Sequence, residues 1–474
     1  MKLREAFLLG LLIVAPLILV GFVGLSSQPV QLASAISQAQ VDEAQGNHAS
    51  AAKNLRILIS YYPGDTALWE RIGGQELAAE NYTGAIQAFT AASRAGKLSI
   101  AGQFDLGNAY DQSGDRQTAL STWRSILGRD GITAERYQEL LDLFQKYGDW
   151  DAATQTAQEW YQTDHYNDQV SLTLGKLLSY QDPAAAVKVL SDGNFQSNSD
   201  SRAASQLIQA IQTGQEKNEP SYLRVLVGQT LGDLNDWEIA IQAFRKALEL
   251  EPNYAEAWAL LGEAQQMVGQ DGYPALQQAL TLDPTSDIVR VAMALYYRRQ
   301  EEPQKALVYL RALAAKYPQQ GQWQVEIGAT LAEDGNLIEA MNAYQNAVEI
   351  EPNNAANWRA LALFSANNGF DANSYTLPAA SQALLLDPDG IETLDMAGWI
   401  NLTLGDLDNA EQFLQQALQK DATYPPALLH MGQLYLKKGQ TDQAYPLLKR
   451  AVQQTRDAAT ALQAQRLLEK YFPQ

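Results

Sequence analysis

Side chains able to do chemistry are scarce in this chain of 474 residues, which has three histidines and no cysteine. His48, His165 and His430 lie far apart, with no metal-ligand spacing around them, and read as surface or groove-edge residues. The lack of cysteine removes disulfides, thiolate zinc sites, iron–sulfur clusters, cysteine nucleophiles and a cysteine-linked lipid anchor. The sequence contains no glycine-rich phosphate loop, dinucleotide fingerprint, zinc-protease helix motif or nucleophile elbow. Residues 192–200 (DGNFQSNSD) are acidic enough for calcium. They lack the turn glycine at the sixth position and a closing glutamate, so they read as a solvated loop. Asn81-Tyr82-Thr83 and Asn401-Leu402-Thr403 match the glycosylation sequon, but both fall on predicted helices. No cofactor, metal or small-molecule substrate is implied, and an enzyme is not expected.

Charge narrows the classes further. Lys and Arg total 34 against 54 Asp and Glu, a net charge of −20, which argues against nucleic acid because phosphate contacts need clustered cations. With 46% hydrophobic residues the chain still builds a core, unlike a disordered acidic tail.

Two kinds of element position these residues. The first is an uncharged apolar run at residues 6–25 (AFLLGLLIVAPLILVGFVGL), preceded by Lys2 and Arg4. Twenty helical residues reach about 30 Å, the thickness of a bilayer core, and Pro16 kinks such a helix without forbidding it. Ala33-Ser34-Ala35 offers a signal-cleavage site, but the run is longer than a signal core and the site lies well beyond it. The expectation is an uncleaved single-pass anchor. By the charge bias, residues 1–5 are cytoplasmic and the rest of the chain exoplasmic, periplasmic or extracellular.

The second element is a repeat of 34 residues. Segments begin at Leu32, Thr66, Ile100, Ala134 and Asp168, then at Ser221, Ala255, Asp287, Gly321, Ala355, Ile391 and Pro425. Position 8 is Gly or Ala in every segment except one, where it is Leu141. Position 20 is Ala in most, as in Ala85, Ala119, Ala240, Ala340 and Ala444. Small residues at these positions let two antiparallel helices approach, while large residues at positions 4, 7, 11 and 24 fill the space around them. Gly at position 15 (Gly114, Gly148, Gly405 and others) suits a left-handed end to the first helix, and Glu251-Pro252 or Asp387-Pro388 ends the second.

These residues resemble the tetratricopeptide repeat (TPR). Its Trp, Leu-Gly, Tyr and Ala pattern stands here as Trp258 and Leu261-Gly262, and as Leu106-Gly107, Tyr110 and Ala119. The resemblance covers nearly everything after the apolar run. It implies an all-α, right-handed solenoid of about twelve helix-turn-helix repeats, with one transmembrane helix before it and a capping helix after it. The repeats divide into an N-terminal array (32–200), a non-standard helix and linker (201–220) and a C-terminal array (221–458). Residues 459–474 form the cap, packing through Leu462, Leu467 and Leu468.

In the family resembled, positions 2, 5, 9, 12 and 13 of the first helix line the concave groove. Carried over, they give Glu70, Phe104, Asn108, Asp111, Gln138 and Asp142, a polar to acidic surface. In the second array they give Val225, Ala259, Val291, Leu295, Arg298, Arg299, Val325 and Arg359. Leu363, Asp395, Trp399, Leu429 and Gln433 complete a more apolar surface. The family's carboxylate clamp needs Lys at position 5 before Asn at position 9. Asn108 follows Phe104 instead, so that mode is not expected. Trp69, Trp258 and Trp358 occupy the packing position 4; Trp399 falls on the groove, as a binding anchor or as packing against the next repeat. The reading is a membrane-anchored scaffold whose groove takes helical or extended protein segments, basic or apolar, in an envelope complex; the apolar surface flanked by Arg298, Arg299 and Arg359 suits an amphipathic helix or extended apolar segment with some acidic residues. The alternative is an accessory factor for polysaccharide export or glycosyl transfer with no catalytic domain of its own.

Overall fold

A computed structural model describes residues 30–164, 167–455 and 458–472. The expected anchor at 6–25 and His165 lie outside the described residues. Among those described, no helix is long and apolar enough to cross a membrane.

The described chain is all helical. The first helix pairs are α1 (Val30–Ala44) with α2 (His48–Tyr61), and α3 (Thr66–Ala78) with α4 (Tyr82–Ala95). Next come α5 (Ile100–Gln112) with α6 (Arg116–Arg124), α7 (Ala134–Lys146) with α8 (Trp150–Thr163), and α9 (Asp168–Gln181) with α10 (Pro183–Asp192). A long helix without a partner in the repeat, α11 (Asn198–Glu216), follows. The chain divides into two compact units between Gln212 and Thr213, within α11.

The second unit pairs α12 (Pro220–Asp233) with α13 (Trp237–Leu250), α14 (Ala255–Met267) with α15 (Tyr273–Leu282), and α16 (Asp287–Arg299) with α17 (Pro303–Lys316). It continues with α18 (Gln322–Glu333) and α19 (Leu337–Ile350), then α20 (Ala355–Asn367) and α21 (Leu377–Leu386). The last pairs are α22 (Ile391–Leu404) with α23 (Leu407–Lys420) and α24 (Pro425–Lys437) with α25 (Thr441–Gln454), closed by α26 (Ala458–Tyr471). The two helices of each repeat pack on each other, and several first helices also pack on the first helix of the following repeat.

Local chemistry explains the boundaries. Asp65, Ser99, Asp149 and Asn167 each accept a backbone N–H from the first turn of the helix they precede. The first helix ends on a left-handed residue: Gly405 at φ +88°, and Glu80, Asn235 and Glu301 at 58°, 65° and 57° where the repeat lacks glycine. The indole N–H of Trp69, Trp258 and Trp358 donates to the carbonyl of Pro63, Pro252 and Pro352, at 3.0, 2.8 and 2.7 Å. Tryptophan at position 4 thus clips the turn that enters its repeat as well as filling the core.

The small residue at position 8 sits against the large one at position 24. A Cβ on Gly107 would stand 2.2 Å from the indole nitrogen of Trp123, and one on Gly228 would stand 2.4 Å from the ring of Phe244. The repeat from Ala355 absorbs its two extra residues as a π-helical turn, Ala372–Thr376, anchored by buried Thr376 at 3.0 Å from the Ser365 hydroxyl.

Three expectations are corrected. The polar loop shrinks to residues 193–197, because α11 begins at Asn198 and buries Leu207 and Ile211. The cap does not use Leu462, which is 51% exposed. Ala464 is buried in its place, with Leu467, Leu468 and Phe472 packed beside Leu428, Leu429 and Leu448. Position 5 is a packing position in six repeats: Phe104, Leu172, Val225, Ala259, Asp395 and Leu429 are all buried.

Candidate protein-binding groove

In the N-terminal unit, the expected groove residues separate into braces and surface. Phe104 is only 7% exposed, tilted against Trp123 at 6.4 Å between ring centroids and covered by the Arg136 guanidinium 3.7 Å above it. It supports the groove floor and is closed to a partner. Asn108, one turn further along α5, is half-buried with its amide uncommitted among the described residues. Asp142 on α7 is exposed and accepts from Gln138 Nε2 at 2.8 Å, while Gln138 Oε1 accepts from Gln169 Nε2 of α9 at 3.3 Å. A polar ladder therefore crosses two repeats.

The acids here are largely engaged. Glu70 accepts the Ser99 N–H and hydroxyl at 2.7 and 2.6 Å, and Asp111 accepts the Tyr147 hydroxyl at 2.7 Å. Burial pushes the Asp105 carboxyl above the ordinary value, against the pull of nearby Arg136.

In the C-terminal unit, Val291 and Leu295 of α16 are half-buried, as are Val325 of α18 and Leu363 of α20. The arginines beside them are committed. Arg298 donates to Glu326 and Glu333 on α18, each at 3.0 Å, and the Glu333 carboxylate holds its pKa above the usual arginine value. Arg299 pairs with Glu263 at 3.6 Å. Arg359 donates to Thr393 at 3.2 Å and to Asp387 at 3.4 Å. These guanidiniums tie their first helices to neighbouring repeats, which corrects the expectation of acidic residues in the partner: an acidic segment would find them already neutralised.

Trp399 is the most organised residue of the groove. Its indole N–H donates to Asn367 Oδ1 of α20 at 2.9 Å. Its ring stacks on His430 of α24, 4.7 Å between centroids and 24° from parallel. His430 Nδ1 lies 2.8 Å from Oδ1 of buried Asp395, which fixes the imidazole. Three successive repeats thus hold one aromatic in place, with part of its surface still open. Both readings of Trp399 meet here, since it packs on the next repeat and remains on the groove.

Gln433, on the same face of α24 as His430, has a buried side-chain oxygen without a donor. Tyr424 is pushed up to about 12, by burial first and then by Asp395 and Glu392. Sequence reasoning missed the Asp395–His430 pair. The signal was present: the two lie one repeat plus one residue apart, which places them on adjacent first helices.

Helix pairs stacked within each unit, with first helices that carry a half-exposed apolar and aromatic surface, define the class as a helical-repeat interaction scaffold. Family profiles described as tetratricopeptide repeat match residues 36–99, 291–356 and 402–466, and one described as TPR repeat matches 228–269. The chain is a tetratricopeptide-repeat protein. Over 209 residues it is 26% identical to the "Peroxisomal targeting signal receptor" of Candida albicans (strain SC5314), covering 41% of this chain. The match spans about a third of that relative's length (34%). Among solved structures, a tetratricopeptide repeat protein from Parabacteroides merdae is 15% identical with a TM-score of 0.42, covering 55% of this chain and 98% of that one. Yeast Tom70 is 13% identical with a TM-score of 0.34, covering 93% and 95%.

Proposed function

We propose that this protein is a non-catalytic, membrane-tethered scaffold that holds a helical or extended segment of another protein in the groove of its C-terminal unit. The tether is the apolar run at 6–25. The charge bias before that run orients the repeats to the exoplasmic side, and the array contributes to assembly or stability of a membrane complex. The observation that carries the reading is the bracing of Trp399 by Asn367, His430 and Asp395, since a pre-ordered aromatic loses little freedom when a partner covers it. Internal neutralisation of Arg298, Arg299 and Arg359 favours an apolar or basic segment over an acidic one. The net charge of −20 points the same way and disfavours lying flat on anionic lipid. The relative named as a targeting-signal receptor supports a groove that recognises part of another protein.

The test is in-cell crosslinking of the tagged full-length protein, detergent extraction and mass spectrometry. It is run beside a Leu295→Glu, Trp399→Ala variant and a form lacking residues 1–30. A defined set of membrane proteins lost in the groove variant, with the truncated form leaving the membrane fraction, is the expected result. Recovery of polysaccharide with no protein in all forms would replace this reading with the export-accessory one.

A further inference from the structure

The side of the second helices carries a cleft that the groove reading does not use. It lies between α17, α18 and α19 of the C-terminal unit and has a volume of about 560 Å³. That is within the range of sites that take small ligands or a few peptide residues. We infer that this cleft is a second binding site, for a short extended peptide segment carrying a carboxylate.

In a chain of net charge −20 most arginines are paired, yet the exposed Arg311 guanidinium on the cleft wall has no hydrogen bond or ion pair among the described residues. No Asp or Glu lines the cleft. Two acids beside lining residues, Asp287 bonded to Tyr317 and Glu351 next to Ile350 in the chain, are already used. Asp287 holds Lys316 and Tyr317, and Glu351 accepts the Gly321 N–H at 2.7 Å and the Asn357 amide at 3.3 Å. Arg311 therefore offers a full set of planar donors to an oxyanion from outside, the geometry that favours carboxylate.

The remaining lining sets the body of the ligand. The amides of Gln324 and Asn346 are unpartnered among the described residues, and Gln320 uses only its oxygen, accepting the Trp323 indole N–H at 3.0 Å. Two free side-chain amides and the Gln320 NH2 match the alternating donors and acceptors of an extended backbone. Ile327 and Ile350 supply aliphatic surface for a side chain. The one aromatic present, Tyr317, has its hydroxyl tied to Asp287, and there is no opposing ring on which a sugar would stack. An aliphatic, amide-rich wall with a single cation fits peptide better than saccharide.

The full-length protein in detergent would be titrated with acetyl-Ala-Ile-Asp-Ala-amide and with its asparagine counterpart, read by saturation-transfer NMR of the peptide. Galacturonate serves as the acidic-sugar probe. The acidic peptide should bind about tenfold more tightly than the amide form. Its advantage should shrink with added salt and vanish in Arg311→Gln. Asn346→Ala should weaken both peptides, and Leu295→Glu, on the opposite groove, should change neither. Arg311 is exposed, so its variant keeps the fold, checked by circular dichroism. Equal binding of the two peptides, no binding of either, a preference that survives Arg311→Gln, or binding of galacturonate alone would overturn the inference.

Discussion

Alanine at Gly73 and alanine at Gly74 test the packing of the helix pairs with everything but packing held constant. Both residues lie within α3, so each substitution gains the same helix propensity, about 0.8–1.0 kcal/mol. Their surroundings differ completely. A Cβ on Gly73 would stand 2.7–2.8 Å from three atoms of the Phe89 ring, whereas one on Gly74 meets nothing within 4 Å. Phe89 is 1% exposed and cannot swing out, so the ring or α4 must move by several tenths of an ångström. Overpacking of this kind costs about 1–3 kcal/mol. Gly74→Ala should therefore stabilise by about 0.8–1.0 kcal/mol. Gly73→Ala should lie about 1–3 kcal/mol below it. Because solenoid repeats open locally, the readout is amide hydrogen exchange across α3 and α4, where each 1.4 kcal/mol is about tenfold in protection. Equal protection in the two variants would refute the close-approach account of position 8.

Other perturbations test other contacts. Hydrogen bonds from Ser50, then Gln38 and Asn54, hold the Asp42 carboxyl below its ordinary range. Its contribution is full above the unfolded value of about 3.9 and is lost as pH falls through the lower folded value. Protection of α1 and α2 should thus drop on acidification in the parent and respond less in Asp42→Asn. Asp395→Ala leaves His430 Nδ1 without its partner and should destabilise the last repeats by about 1–3 kcal/mol in urea unfolding. Combined with His430→Ala, the loss should be less than additive. Burial, and secondarily Glu326, pushes Tyr344 up to about 12. Between about pH 10 and 12 the unfolded state releases this proton and the native state does not, so stability falls across that window. Tyr344→Phe should flatten the fall in an alkaline unfolding series.

Much of the fold was legible because the repeat writes its packing into residue size. The starts inferred at Thr66, Ile100, Ala134, Asp168, Ala255, Asp287, Ala355, Ile391 and Pro425 coincide with helix starts, since position 8 must be small wherever position 24 is large. Position 15 was legible where it is glycine and hidden where Glu80 or Glu301 adopts the same left-handed turn. The groove was less legible. Which residues at position 5 are buried depends on how closely the next first helix approaches, and a single repeat does not encode that distance. Phe104 reads as an anchor by position, yet Arg136 from the following repeat closes over it. Arg298 reads as a free cation until Glu326 and Glu333, about one repeat further along, are seen to face it. Composition gave no sign of the cleft beside Arg311, because its lining comes from three helices.

The most direct test of the central claim is site-specific photo-crosslinking in cells. A photoreactive residue is placed at Trp399 on the groove or at Leu385, 75% exposed on the second helix α21. Discrete protein adducts are expected from position 399 and none from position 385. Adducts of equal intensity from both positions, or from 385 alone, would contradict a groove that holds the partner.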